Sequence, residues 1–93
     1  MSDKELTKRE QDMLSPTFVV LIEFGTKWFG SDLMLLASMD EFYDHCWNAW
    51  HSTDDYKQQR QKLKISLFRL LSGKASYLGR SASIIKQLNK IKI

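Results

Sequence analysis

Two histidines and the only cysteine of the chain, His45, Cys46 and His51, lie within seven residues of one another. Imidazole and thiolate are ligands that zinc prefers, so this segment is a candidate metal site. On a helix, however, His45 and His51 are six positions apart and do not share a face, and Cys46 falls within an apolar stripe. We therefore predict a buried structural cysteine and no bound metal.

Three acids, Asp40, Glu41 and Asp44, share one face of the same helix and could in principle transfer protons. Nothing in the sequence predicts a pocket that would shift their pKa values, and neither a phosphate-binding loop nor a nucleophile motif is present. We predict a protein that is not an enzyme and uses no cofactor. Trp47 lies beside these acids, off the apolar stripe, so Trp47, Asp40 and Asp44 form a candidate protein interface.

Charge is distributed very unevenly along the chain. All eleven acidic residues lie between Asp3 and Asp55, together with only four basic residues, for a net charge of −7. From Tyr56 to Ile93 there are ten basic residues and no acid. Such asymmetry predicts an anionic partner for the basic end, unless the two halves neutralise each other in the fold or across a dimer.

Composition predicts one small domain inside the cell. Ninety-three residues, 43% of them hydrophobic, suffice for one core and not for two. A single cysteine excludes an internal disulfide framework, and the charged N-terminus has no apolar signal core. The most apolar stretch, Phe18 to Met39, is interrupted by charges and does not predict a membrane span. We expect a cytoplasmic protein.

Apolar residues recur with helical spacing throughout, which predicts an all-α fold, a compact bundle of four to five short helices. Residues 1–53 form its acidic, aromatic core and the predicted dimerisation part, and residues 54–93 form its basic part. Gly73 and Gly79 bracket a short segment before the last helix. The predicted helices are Lys4–Leu14, Pro16–Phe29, Asp32–His51, Asp54–Leu71 and Ala82–Ile91.

Local signals support these boundaries. Ser15 is a good helix cap, and Pro16 suits the first helical turn, where its missing N–H costs nothing. Apolar residues surround the second helix and predict burial on more than one side, Val19 included. The residues predicted to be buried on the third and fourth helices are Leu35, Met39, Phe42, Tyr43, Cys46, Trp50, Tyr56, Leu63, Leu67, Leu70 and Leu71.

The C-terminal segment carries a pattern of small and apolar residues around a glycine: Ala75, Leu78, Gly79, Ile85 and Leu88. This pattern resembles the helix-turn-helix motif of bacterial and phage DNA-binding proteins. In that family the alanine lets two helices cross closely, the glycine makes the turn, and the last two apolar residues face inward. Lys74 and Arg80 stand where the family usually has apolar residues, and Gly73 would shorten the first of the two helices.

The resemblance implies a recognition helix in the major groove of double-stranded DNA. Its outward residues would reach base edges, with Gln87 suited to adenine and Lys86 to guanine. Cations around the turn and on the preceding helix would hold phosphates. The implied DNA-binding residues are Lys57, Arg60, Lys64, Lys74, Arg80, Ser81, Ser83, Lys86, Gln87 and Lys90.

We therefore expect a small DNA-binding regulatory protein, a homodimer of the kind that plasmids and phages encode. The alternative is a small helical modulator or inhibitor that docks on a larger complex through its acidic, aromatic surface. A membrane-surface binder is disfavoured because Trp and Phe, the usual interfacial anchors, are absent after Phe68.

Overall fold

The computed structural model describes residues 5–77 and 82–90, with side chains for all of these except Tyr77 and residues 82–85. The described residues form helices and turns with no strand, which confirms the all-α prediction. There are six helices among them where four to five were expected. They are α1 (Lys8–Met13), α2 (Pro16–Phe29), α3 (Ser31–Met34), α4 (Met39–His51), α5 (Tyr56–Tyr77) and α6 (Ala82–Asn89).

The first two helices begin at side-chain caps. Thr7 accepts a hydrogen bond from the N–H of Glu10, whose carboxylate accepts one from the Thr7 N–H, so α1 starts at residue 8 and not at residue 4. Ser15 caps α2 through the N–H of Phe18, and Pro16 occupies the first turn, as predicted. These caps supply acceptors for N–H groups that have no partner within the helix.

The predicted helix Asp32–His51 is wrong, because the chain forms two helices joined by a turn. Ser38 and Glu41 form a second capping box, which starts α4 afresh at Met39. The break removes Leu35 and Met39, the first residue of α4, from the apolar stripe that was predicted to be continuous. Leu35 is consequently 82% exposed and Met39 54% exposed, although both were predicted to be buried.

Helix α5 is longer than predicted. It runs without interruption past Leu71 and through Gly73, so that glycine neither ends it nor shortens the helix preceding the predicted turn. Its first turn is solvated, and Tyr56, expected in the core, is 55% exposed. No helix among residues 5–77 and 82–90 is both long and apolar enough to cross a membrane.

One core holds helices from both the acidic and the basic halves of the chain together. Phe18 is completely buried at its centre and meets the Phe42 ring edge-on, with the ring centroids 5.5 Å apart. Helix α2 buries one face and leaves Val19 exposed, so burial of that residue was wrongly predicted. The buried apolar residues are Phe18, Leu21, Phe29, Leu33, Phe42, Cys46, Leu63, Leu67, Leu70, Leu71, Ala75 and Leu88.

Candidate nucleic-acid interface

Two rows of cations run along α5. Lys57, Arg60 and Lys64 recur at spacings of three and four residues, so they share one face of the helix, which we call the first basic row. Lys62 and Arg69 are seven residues apart on another face, the second basic row. Lys64 is half-exposed and the other four are exposed. Helix α5 therefore presents positive charge in two directions.

The first basic row lines a shallow groove together with Gln61 and Trp28, which lies at the end of α2. The Lys64 Nζ lies 5.5 Å from the centroid of the Trp28 ring, and the guanidinium of Arg60 lies 5.5 Å from the centroid of the Tyr56 ring. Cations at this distance from an aromatic ring are attracted by its π electrons. The rings thus hold two of the three cations in place, and the groove offers an anion both charge and an aromatic wall.

Sequence reasoning missed both aromatic residues of this surface, because it predicted Tyr56 to be buried and placed Trp28 on a second helix that was predicted to be buried on more than one side. Trp28 is half-buried, and its ring stacks on Phe24 with the centroids 5.0 Å apart. Lys27, its neighbour in the sequence, was a signal that α2 becomes solvated near this end.

Helix α6 packs against α5. Leu88 is completely buried, as is Ala75 on α5, while Lys86, Gln87 and Lys90 are exposed. A small residue such as Ala75 permits close approach of two helices, which is the role that the helix-turn-helix resemblance implies for it. Helix α6 is therefore anchored through Leu88 and presents Lys86 and Gln87 to solvent.

Other predicted residues fall outside what the structure describes. Arg80 and Ser81 lie beyond the described residues, as do Leu78 and Gly79 of the predicted turn. Ser83 and Ile85 lie in α6, where the structure describes their backbone but not their side chains.

Lys74 differs from the other cations of α5. Its Nζ lies 2.9 Å from Oε2 of Glu41 on α4, and both side chains are partly shielded from solvent. Lys74 was predicted to contact phosphate, whereas in the structure it already has a carboxylate partner.

Three acids of the N-terminal half, Asp12, Asp40 and Asp44, have cationic partners within that half. The Arg9 guanidinium lies 2.8 Å from Asp44 and 3.5 Å from Asp40, and Lys8 pairs with Asp12. Within residues 5–77 and 82–90, no salt bridge joins a carboxylate to either basic row or to Lys86 and Lys90. Mutual neutralisation of the two halves is thus limited, among these residues, to the Lys74–Glu41 pair.

The predicted protein interface around Trp47 is partly covered. Trp47 is half-buried, stacks on Tyr43 with centroids 5.5 Å apart, and lies 4.5 Å from the His51 ring. Asp40 and Asp44 remain exposed beside it, although Arg9 pairs with both. The three predicted residues are brought together, with Trp47 contributing mainly to packing.

His45, Cys46 and His51 do not converge. The Nδ1 atoms of His45 and His51 each lie 2.9 Å from the backbone oxygen four residues earlier, and Cys46 points into the core. Burial raises the pKa of the Cys46 thiol to about 12, which disfavours the thiolate that zinc requires. No group of three or more potential ligands gathers within the part of the chain that the structure describes.

Comparisons with protein-family models, with curated proteins and with solved structures found no match to this chain.

Proposed function

We propose that this chain is a small regulatory protein that binds double-stranded DNA, with α6 in the major groove and the first basic row of α5 along the phosphate backbone. The observation that carries the proposal is the set of exposed cations on these two helices without a carboxylate partner among the described residues. Phosphate is the anion that a duplex repeats at regular intervals, and clustered cations bind it by displacing counterions.

Each helix contributes a different chemistry. Lys86 and Gln87 can donate hydrogen bonds to base edges, so α6 supplies sequence preference. Lys57, Arg60 and Lys64 supply affinity that depends little on sequence. Burial of Ala75 and Leu88 supports a close crossing of α5 and α6, which would hold α6 firmly enough to enter a groove.

The test measures duplex binding by fluorescence anisotropy across a salt series, with three variants that each remove two positive charges. The first is K86Q with K90Q, on α6 and the turn that follows it. The second is K57Q with K64Q in the first basic row, and the third is K62Q with R69Q in the second basic row. Wild-type affinity should fall steeply with salt, with a logarithmic slope of about −4 to −5 if five cations contact phosphate.

The three variants separate a defined surface from net charge. The α6 variant should lose affinity and sequence preference, and the first-row variant should lose affinity and about two units of salt slope. The second-row variant should bind nearly as the wild type does. Equal losses in all three variants would contradict a defined surface, and no binding at low salt would favour the protein-binding modulator instead.

A further inference from the structure

An apolar groove of about 410 Å³ lies between α2, α3 and α4, on the acidic half of the molecule. Among the described residues, none from α5 or α6 lines it, so the groove is separate from both basic rows. Its lining has no charged side chain, and Thr26, Ser31 and Ser38 supply the polar ones. Leu35 and Met39 line the groove and are nevertheless largely exposed. Contiguous exposed apolar surface of this kind marks interaction sites.

The groove is formed by tight packing between α2 and α3. Met34, a lining residue of α3, lies so close to Gly25 of α2 that a Cβ on that glycine would be 2.6 Å from the methionine methyl carbon. Leu33, its neighbour in the sequence, and Phe42 of the lining are buried. A groove that exists before its partner arrives costs less to occupy than one that must form on binding. The methionines of the lining, Met34 and Met39, can still adapt to the shape of a partner.

Charge around the groove is negative. Residues 16–51, which supply the whole lining, contain five acids and a single lysine. Three of these acids already pair with Arg9 or Lys74. The other two, Glu23 and Asp32, are exposed, and no salt bridge joins them to a cation in the part of the chain that the structure describes.

These two acids lie beside the groove. Glu23 precedes Thr26 of the lining by three residues on α2, and Asp32 precedes Leu35 of the lining by three residues along α3. Residues three apart are neighbours on a helix surface. The lysine, Lys27, lies further round α2, about 100° from Thr26 against about 60° for Glu23. A partner therefore meets an apolar surface with negative charge beside it on two helices.

We propose that this groove binds an amphipathic helix of another protein, one whose apolar side is flanked by lysine or arginine residues. The apolar side would cover Leu35 and Met39, and the flanking cations would lie opposite Glu23 and Asp32. A second copy presenting the same surface would instead bring these acids together. Because the groove excludes α5 and α6, the proposal does not depend on DNA binding.

A helix fits this lining better than an extended segment does. An extended peptide needs hydrogen-bond partners for its backbone N–H and C=O groups, which the edge of a sheet provides. The described residues contain no strand, and one of the three hydroxyls of the lining, that of Ser38, already caps α4. A helix satisfies its backbone groups internally and presents only side chains to an apolar groove.

The probe is a fluorescently labelled helical peptide of about 15 residues, about four turns, with leucines along one side and lysines on both flanks. Two comparison peptides carry glutamines in place of the lysines or serines in place of the leucines. Anisotropy should show binding about threefold weaker for the glutamine peptide, which loses ion pairs, and about tenfold weaker for the serine peptide, which loses apolar burial. In nuclear magnetic resonance spectra, the methyl signals of Met34 and Met39 should shift on binding, whereas that of Met13 on α1 should not.

A pair of leucine variants tests whether the peptide occupies this groove. L35Q should weaken binding of the leucine–lysine peptide about tenfold, because an apolar contact is lost. L14Q changes another exposed leucine, 72% accessible and outside the groove, and should bind as the wild type does. Circular dichroism should show unchanged helix content in both variants, because both replaced side chains are exposed.

A pair of double variants tests the charge. E23Q with D32N should weaken binding about threefold and make it less dependent on salt, because two ion pairs are lost. D54N with D55N removes two exposed acids from the turn after α4, outside the groove, and should leave binding unchanged.

Three results would overturn the proposal. One is no binding of the leucine–lysine peptide up to about 1 mM, since weaker association is not specific. Another is an equal loss within either pair of variants, because the contact would then lie elsewhere. The third is a wild type that dimerises by light scattering while L35Q stays monomeric, because a second copy would then occupy the groove.

Discussion

The Nζ of Lys74 lies 2.9 Å from Oε2 of Glu41 and so joins the basic C-terminal half of the chain to the acidic half. The other carboxylate oxygen of Glu41 accepts a hydrogen bond from the N–H of Ser38. These bonds, first the one from Ser38 and then the one from Lys74, hold the pKa of Glu41 below its ordinary value. Glu41 therefore caps α4 and also holds α5 against it.

This pairing predicts that Lys74 contributes less to DNA binding than an unpaired lysine of the same helix. K57Q should weaken duplex binding and reduce the logarithmic salt slope by about one, because one phosphate contact is lost. K74Q should leave the slope nearly unchanged and should instead lower the thermal midpoint slightly, because Glu41 loses its partner. Anisotropy titrations of both variants and their melting curves check this. A larger slope change in K74Q than in K57Q would contradict it.

A second relationship predicts sensitivity to acid. The Tyr43 hydroxyl donates a 2.7 Å hydrogen bond to Asp12, which joins α1 to α4 and lowers the pKa of Asp12, with a further contribution from Lys8. A carboxyl whose pKa is lower in the folded state contributes stability above its unfolded pKa and loses that contribution as pH falls through the folded pKa. Y43F should therefore be less stable at neutral pH and lose less stability on acidification.

The measurement is a nuclear magnetic resonance titration of the Asp12 carboxyl together with denaturant unfolding at neutral and acid pH. In Y43F, the pKa of Asp12 should move upward toward its ordinary value. Y56F is the matched control, since Tyr56 is exposed and distant in sequence from Asp12. An unchanged Asp12 pKa in Y43F would show that the hydroxyl does not stabilise the carboxylate.

Sequence reasoning succeeded where local chemistry decides the structure. Ser15 and Pro16 correctly predicted where α2 begins. The four leucines that were predicted to be buried on α5 do lie in the core. Sequence reasoning did not predict the break before α4 at Ser38, because the helical spacing of apolar residues continues across residues 35–39. The capping pair Ser38 and Glu41, three residues apart, was the available signal.

The candidate nucleic-acid interface was also predictable only in part, where spacing along a single helix decides it. The two rows of cations follow from spacing along one continuous helix, so the sequence places them correctly relative to each other. The pairing of Lys74 with Glu41 joins residues 33 apart and depends on how α5 docks against α4. The position of Trp28 beside Lys64 likewise depends on packing between helices, which spacing along one helix does not specify.

Burial of Cys46 predicts an unreactive thiol. Because burial raises the pKa of the Cys46 thiol to about 12, almost none of this thiol is ionised at neutral pH. The thiolate is the form that reacts, so the native side chain should be inert. Modification by a thiol-specific disulfide reagent should be slow in the native protein and rapid in denaturant. Placing a cysteine on the surface by S76C, at an exposed position, supplies the control that should react at once. Fast labelling of wild-type protein without denaturant would contradict burial of this side chain.

Two exposed glycines predict opposite effects of the same substitution. Gly73 lies within α5, and a Cβ there would meet no atom within 4 Å, so G73A should stabilise the fold by about 0.5–1 kcal/mol through helix propensity. Gly30 also has open space but a φ of 89°, which L side chains rarely adopt. G30A should therefore cost about 1–2 kcal/mol.

Thermal melting distinguishes these outcomes, since 1 kcal/mol shifts the midpoint of a domain this size by about 4–8 °C. G73A should melt a few degrees higher than the wild type, and G30A lower. The direction in which G73A shifts the thermal midpoint also tests whether α5 continues past Gly73 toward the predicted DNA-binding turn. If α5 ended at Gly73 in a left-handed conformation, alanine would be strained there and G73A would melt lower. A higher midpoint would instead support a helix that continues to Ala75, where α6 packs against it.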